Sequence, residues 1–429
     1  MRIIFFTIAF LNTFSFSQSQ IGNDINGENA NDRSGSAVSI DSDGDVVAIG
    51  AYLNDGNGSS SGHVRVYQYS GSSWSQLGSD IDGEAAADWF GSSVSLDSDG
   101  DIVAVGAPKN DGNGSASGHV RVYQYSGGSW SQLGGDIDGE AAGDESGYLQ
   151  SVSLDSDGNR VAIGAWENTG NGTAAGHVRV FQYQSGSWSQ LGGDIDGEAL
   201  GDYSGLSVSI DSDGDRVAIG AGGNNSSGDD RGHVRVYQYS GGSWSQLGSD
   251  LDGADDYDYF GCSVSLDSDG SRLAVGAYQD DGNGDDPGYV RVYNYSGSSW
   301  SQLGSNITGE AGEDKFGWSV ALDSDGDRLF VGAPGNGSNG HGRMFTWSGS
   351  SWTKQGVDID GEGSSDQFGY AVSLDSDGDR VAIGAYYNDG NGSNSGHVRV
   401  YNVSDASLPV DLSSFSLVSS RSNAMTLEW

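Results

Sequence analysis

The sequence predicts an all-β chain closed into a seven-bladed β-propeller of four-stranded antiparallel blades, on three observations. The stretch from Phe90 to Asp144, FGSSVSLDSDGDIVAVGAPKNDGNGSASGHVRVYQYSGGSWSQLGGDIDGEAAGD, recurs in near-copies along almost the whole chain. A period of that length marks a repeat architecture. The anchor dipeptide falls at Ser34-Gly35, Phe90-Gly91, Ser146-Gly147, Ser204-Gly205, Phe260-Gly261, Phe316-Gly317 and Phe368-Gly369, seven copies mostly 56 residues apart. Each copy holds four short strand-like runs, the content of one propeller blade. The two ends of the chain complete each other, as set out below.

Within a copy, SVSLD alternates polar and apolar residues, the pattern of a half-buried strand. DSDG is a turn, because Asp and Ser side chains bond their own backbone and Gly supplies positive φ. IVAVGA is a continuous apolar run, expected of a strand covered on both faces. NDGNGSASG is a loop by composition. HVRVYQY alternates again, with Val120 and Val122 on one face and Arg121, Tyr123 and Tyr125 on the other. A short turn leads into the fourth run, SWSQLGGDI.

At the N-terminus, Met1 to Ser17 has the layout of a secretory leader: Arg2, the apolar run Ile3 to Leu11, then small and polar residues. The run is too short to span a bilayer. Export, to the medium or the cell surface, is therefore the expectation. SQIGNDINGENAND, which follows, matches SQLGSDIDGEAAAD of Ser75 to Asp88 and is a lone fourth strand. The seventh copy, from Phe368, keeps three strands and loses the pattern after Val403. The orphan strand fits that vacancy, and pairing the termini in one blade removes exposed edges. The expected propeller thus spans 18–403. Residues 404–429 carry no repeat motif and are expected to be a linker or the start of a C-terminal module; LPVDL resembles the segment that opens Ig-like or sorting modules of exported bacterial proteins.

Composition narrows the function. Sixty acidic residues against 19 Lys and Arg give a net charge of −41, and the only lysines are Lys109, Lys315 and Lys354. Such a surface repels nucleic acid and anionic membranes and attracts cations. Cys262 is the single cysteine, so no disulfide framework exists and stability must come from blade packing and ring closure.

FG at the first strand, a short acidic turn, then VGAP (Val105 to Pro108, Val331 to Pro334) resembles the FG-GAP repeat of integrin α-subunit propellers. The match is closer to the bacterial secreted branch, with fourth strands of the type seen from Ser126 to Trp130. The resemblance covers about 22 to 403. It implies a seven-bladed propeller and a role in adhesion or ligand binding, and calcium is the one cofactor it suggests.

The calcium loop of that family runs D-x-[DN]-x-D-G-x-x-D between the first two strands. The candidate ligands here are Asp41, Asp43 and Asp45; Asp97, Asp99 and Asp101; Asp211, Asp213 and Asp215; Asp323, Asp325 and Asp327; and Asp375, Asp377 and Asp379. Each set opens the motif and then enters the second strand directly, without the closing carboxylate. Calcium takes six to eight oxygens, so weak or absent calcium binding is expected, the turns being Asp-capped structure. Asn159 and Ser271 weaken two further copies.

Antiparallel order places the DSDG turns on one rim. The NDGNGS loops and DGEAAAD linkers share the other, where Asp82, Glu84, Asp88, Asn110, Asp111 and Asn113 are either a second cation-binding set or a solvated acidic surface. The six histidines, at 63, 119, 177, 233, 341 and 397, occupy one strand position, with Tyr289 in the remaining copy. A catalytic residue is needed once, so this repetition speaks for structure. The same holds for the arginines Arg65 to Arg399, expected to pair with a carboxylate between blades because an unpaired buried charge is costly, and for the tryptophans Trp74 to Trp352.

Differences between copies carry the functional reading. The residue after the VAIGA run is Tyr52, Pro108, Trp166, Gly222, Tyr278, Pro334 or Tyr386; after the FG position come Ser36, Ser92, Leu206, Cys262, Trp318 and Tyr370. The third copy inserts two residues around Tyr148 to Gln150. Tyr52, Trp166, Tyr278, Trp318 and Tyr386 are the candidate ligand contacts, since amphipathic rings suit binding surfaces; the alternative is that they plug gaps between blades. No nucleophile–base pair, phosphate loop or His/Cys metal cluster stands out. The expectation is an exported, monomeric, non-enzymatic propeller for an extracellular glycan or protein ligand. A structural spacer of a larger surface protein and a propeller enzyme acting on polysaccharide are the alternatives.

Overall fold

The computed structural model describes residues 15–16, 18–225, 228–278, 286–406, 416–420 and 425–428. Blade 1 shows the plan. Ala37–Ile40, Val46–Ala51, His63–Ser70 and Ser73–Gln76 pair in that order, and Ile81–Asp82 continues the fourth strand against the third. One further backbone bond, Leu77 N–H to Val66 O at 2.7 Å, lies between the two paired segments. Seven such sheets are present, each antiparallel.

In blades 1 and 2 the second strand reads VVAIGA or IVAVGA and is buried at every position, as a continuous apolar run requires. In the other five it opens on a half-buried arginine and is buried from there on. The first strand is more buried than its alternation predicts. Its serines are used between blades: Ser39 Oγ accepts from Leu96 N–H at 2.9 Å, and Ser95 Oγ from Leu154 N–H at 3.0 Å. Polar residues that look solvent-facing in the sequence therefore join neighbouring first strands around the axis.

The apolar core is divided into seven clusters, each joining one face of a blade to the next. Between blades 1 and 2, Ala48, Val64 and Val66 meet Phe90, Val94, Val103 and Val105. Glycines set how close these faces come. A Cβ on Gly106 would lie 2.1 Å from the carbonyl oxygen of Gly147 in the next blade; the same contact recurs from Gly50 to Gly91 and from Gly384 to Gly35, each at 2.0 Å. The glycines of the anchor dipeptide and of the VGA run are thus two sides of one contact.

Three further rings hold the blades in register. At the DSDG turns, Ser42 N–H donates to Ser98 O at 3.1 Å, and the pattern continues through Ser156, Ser212, Ser268 and Ser324 to Ser376, which returns to Ser42 O at 3.2 Å. At the periphery, each outer tryptophan donates its indole N–H to the preceding blade, as from Trp130 to Leu77 O at 2.7 Å. Between them the expected arginine pairs form in six blades, as in Arg65 with Glu28 at 3.5 Å, Arg399 with Glu362 at 3.4 Å, and Arg121 with Glu84. Arg291 of blade 5 instead donates to Asn306 Oδ1 and Asp252 O, because the linker there has Ala254 in place of glutamate.

Closure follows the predicted pairing of the termini. Ser19–Gln20 and Ile25–Asn26 supply the fourth strand of blade 7, with Gln20 opposite Tyr401 and Ile25 opposite Val398. Gln18 stands where the other blades have tryptophan, and its amide exchanges two hydrogen bonds with Val357, at 2.8 and 2.9 Å. The expected leader lies outside the described residues except for Ser15–Phe16, which pair with Asp405–Ala406. In the C-terminal segment, Ser416–Ser420 and Met425–Glu428 pair antiparallel. No helix among the described residues is long and apolar enough to cross a membrane.

Two outcomes test this account. Gly106→Ala forces Gly147 away and should cost several kcal/mol (about 1–3 or more for overpacking). Gly127→Ala, at φ +62° with no neighbour within 4 Å, should cost only about 1–2 kcal/mol of backbone strain. Chemical denaturation of both variants measures the difference. Deleting 18–28 opens blade 7 and should abolish the single cooperative melt or produce aggregates, whereas an unchanged melt with monomeric elution contradicts closure by this strand.

Candidate functional site

The first strands enclose a central channel whose two ends differ chemically. At the DSDG end, the first Asp of each turn is buried and caps its own turn. Asp97 Oδ1 accepts from Asp101 N–H at 3.0 Å and Ile102 N–H at 2.9 Å, and Asp41 does the same with Asp45 and Val46. Burial pushes the carboxyls of Asp41, Asp97, Asp211 and Asp323 up to about 6, against the opposing pull of those N–H bonds. The second carboxylates, Asp43, Asp99, Asp213, Asp325 and Asp377, are exposed. Among the described residues, the sets of three ligand atoms lying within 4.8 Å of one another are found elsewhere.

Of the second acidic set, Glu84 pairs with Arg121, and Asp88, Asn110, Asp111 and Asn113 are engaged in loop structure. Asp88 accepts from Asn110 Nδ2 at 2.9 Å and from Ala85 N–H at 3.2 Å; Asp111 accepts from Ala116 N–H at 2.8 Å; Asn113 Nδ2 donates to Gly139 O and Glu140 O. These bonds brace each NDGNGS loop against an interblade linker.

At the opposite end the channel opens into a cavity of about 310 Å³. Tyr278 and Trp318 line it with Tyr370, Leu149, Gln150 and Cys262. Among the described residues, none that lines it is Asp, Glu, His, Lys or Arg. Burial pushes the Cys262 thiol up to about 12 and raises the Tyr370 phenol, so neither ionises near neutrality. The wall is therefore uncharged, built from rings, aliphatic groups and serine hydroxyls.

A belt of aromatic rings, half-buried except for the buried Tyr386, surrounds that cavity. Centroids step from Tyr259 to Tyr278 (5.1 Å), Trp318 (5.0 Å), Tyr370 (5.3 Å), Tyr386 (4.2 Å) and Tyr387 (4.2 Å). Across the mouth, Trp166 sits between Tyr148 and Tyr203, at 5.4 and 5.1 Å, and Tyr52 packs edge-on against Trp89 at 5.7 Å. Of the five sequence candidates, Tyr278 and Trp318 reach the cavity wall. Tyr52, Trp166 and Tyr386 belong to the surrounding belt, and Tyr386 is 9% exposed.

The structure adds two features that motif reading passed over. Gln150, from the insertion in the third copy, donates its side-chain amide across the channel to Trp318 O at 3.2 Å. The residue before each anchor dipeptide is Arg33, Trp89, Glu145, Tyr203, Tyr259, Lys315 or Gln367, and all seven have positive φ, between 50° and 62°. A bulky side chain in that region is uncommon. The turn here aims these side chains at the mouth: Arg33 lies 3.8 Å above the Tyr387 ring, Lys315 5.6 Å from that of Trp318, and Lys109 5.3 Å from that of Trp89 while paired with Glu145. Their diversity among otherwise near-identical copies was the available signal. The inner mouth thus carries cations, while the linker glutamates stand further out against the blade arginines.

Four stretches, 26–67, 80–123, 250–293 and 357–401, match the FG-GAP repeat family. No curated protein matches the chain. Among solved structures, the chain is similar to a protein provisionally named a 6-phosphogluconolactonase from Bacteroides uniformis, with TM-score 0.53 and 12% identity over 76% of this chain and 86% of that one. A second, of the same provisional name from Bacteroides fragilis, has TM-score 0.49 and 12% identity over 79% of this chain and 86% of that one. At 12% identity the likeness to the first is one of fold.

The capping role of the first Asp is open to test. Asp97→Asn keeps an oxygen for both N–H groups and removes a buried charge, so the melting temperature at pH 7 should hold or rise. Asp97→Ala leaves two buried donors unpaired, at about 1–3 kcal/mol each. The folded-state pKa of Asp97, about 6, is above its ordinary 3.8. Its contribution is then full below about pH 4 and lost as pH rises through 6. Histidines such as His63 and His397, lowered by burial to about 4, act in the opposite sense, so the variant must be compared with the parent chain. Any advantage of Asp97→Asn should be largest at pH 7 and shrink by pH 5.

Proposed function

We propose that this chain, a seven-bladed propeller carrying FG-GAP repeats, is an exported, non-enzymatic binding module whose ligand docks at the aromatic mouth of the central channel. The observation behind this reading is the uncharged cavity ringed by the belt from Tyr259 to Tyr387. Half-buried rings offer flat apolar faces beside hydroxyl and amide groups, which suits a sugar ring with its apolar face and polar rim. The cavity wall, as distinct from the rim that carries Arg33, Lys109 and Lys315, has no ionised side chain among the described residues. It favours a neutral group inside it, since a charged one would lose hydration there without a counter-charge. A neutral extracellular glycan is therefore the preferred ligand, with a protein surface carrying exposed aromatic or aliphatic groups as the alternative.

The chain's net charge of −41 disfavours nucleic acid and anionic membrane surfaces as partners. Export rests on the composition of Met1 to Ser17. A non-enzymatic role rests on the makeup of the wall, whose titratable side chains are Cys262, Tyr278 and Tyr370.

Trp318→Ala and Tyr278→Ala should each weaken glycan-array or cell-adhesion binding at least tenfold while the chain still melts cooperatively. Trp130→Ala, at the blade periphery, should lower the melting temperature and leave binding per folded molecule intact. Equal binding by the channel-mouth variants and the parent chain would refute the assignment.

A further inference from the structure

We propose that the junctions between blades bind first-row divalent cations of the zinc type, each through one histidine, one glutamate and one aspartate. Five such sets occur among the described residues, Glu28–His63–Asp80 and Glu198–His233–Asp250 among them, with three ligand atoms within 4.8 Å of one another. Each set spans two blades. The glutamate comes from the linker leaving one blade, and the histidine and aspartate from the third and fourth strands of the next.

In blade 1 the three ligand atoms face one another without bonding directly. His63 Nδ1 lies 4.0 Å from Glu28 Oε2 and 3.8 Å from Asp80 Oδ2, beyond hydrogen-bonding reach of both. With the third edge within 4.8 Å, a point equidistant from the three corners lies roughly 2.0–2.5 Å from each, near the ~2.0–2.2 Å of zinc–nitrogen and zinc–oxygen bonds. The remaining carboxylate oxygens are already engaged and orient the group. Glu28 Oε1 faces Arg65 at 3.5 Å, and Asp80 Oδ1 accepts from Gln76 at 2.6 Å.

An independent observation comes from the histidines themselves. The His63 side chain is 2% exposed, and in the equivalent His233 both buried ring nitrogens lack a hydrogen-bond partner. Buried polar atoms are seldom left so. The two carboxylates are 39% and 31% exposed, which gives an ion a route from solvent. Two carboxylates against the single guanidinium of Arg65 leave a net negative charge to receive it.

Blade 5 departs from the plan at all three positions together: Ala254, Tyr289 and Asn306 replace glutamate, histidine and aspartate. Tyr289 instead donates its hydroxyl to Asp258 at 2.5 Å, and Arg291 remains, donating to Asn306 at 3.2 Å. Side chains that pack independently have no reason to be lost as a group, whereas ligands of one ion do. Arginine pairing alone does not exclude a set, since in blade 2 Arg121 pairs with both Glu84 and Asp136. In blade 6, Lys354 stands where the sets of blades 1–4 have glutamine and pairs with Asp358, and among the described residues no such set forms around His341. An imidazole with two carboxylates suits zinc or cobalt, whereas calcium needs more oxygens.

The test uses the full chain after chelator treatment, titrated with zinc chloride by calorimetry and with cobalt chloride by visible absorption. Saturation should approach five equivalents, matching the five sets. Cobalt should give d–d bands of a low-coordinate nitrogen–oxygen site, zinc should raise the melting temperature, and calcium chloride should do none of these. Glu28→Gln and His233→Gln should each remove one equivalent. If the buried histidine variant fails to fold, the exposed Glu28→Gln decides the question. The triple change A254E/Y289H/N306D should add one equivalent. Absence of saturable zinc binding, or a stoichiometry unchanged in Glu28→Gln, would overturn the proposal.

Discussion

Backbone-to-backbone approach between glycines of successive blades sets the spacing of this ring. With only about 2 Å between a notional Cβ on Gly106 and the carbonyl of Gly147, no side chain fits there, and the sheets close to a distance that suits valine, isoleucine and phenylalanine. The seven apolar layers, the serine ring and the outer indole bonds all presuppose that spacing. Close packing makes such a contact unforgiving, because interiors absorb little extra volume. The same contact occurs between Gly384 and Gly35, at the seam that joins the last blade to the first. The seam is therefore packed like every other junction, and closure removes two sheet edges that would otherwise template aggregation.

A frame repeated this closely leaves function to its exceptions. The DSDG rim is nearly the same in every blade, and the first carboxylate and the serine of each turn are consumed by turn capping and the hydrogen-bond ring. At the other rim, the residue after VAIGA, the residue after the anchor dipeptide and the residue before it change from blade to blade. These positions sit on rigid strand ends, so diverse side chains are held on a stiff circular platform. The belt of rings and the Gln150 bridge arise from that combination. The positive-φ turns that present Arg33, Trp89 and Lys315 store strain which the surrounding blades sustain.

Much of this was legible in the chain. The anchor dipeptide counted the blades, the apolar run marked the strand covered on both faces, and the match between the N-terminal strand and the other fourth strands revealed the closure. The arginine–carboxylate pairing followed from the cost of an unpaired buried charge. Tyr278 and Trp318 were found because they vary where the repeat is otherwise uniform. The serines of SVSL were misleading. Their alternation signals solvent, yet Ser39 and Ser95 face a neighbouring blade and accept its N–H groups.

Local information was enough for the strand content, the blade number and the roles of Gly and Asp in the turns, because each depends on a few adjacent residues whose chemistry recurs with the repeat. Only the closed ring decided which residues meet across it. Gln150 and Trp318 are 168 residues apart, and their bond exists because the circle places blades 3 and 6 on opposite sides of a narrow channel. Glu28, His63 and Asp80 likewise gather because one blade's linker lands beside the next blade's outer strands. Such juxtapositions are set by ring curvature and interblade spacing, quantities that depend on every junction at once and that no single copy encodes.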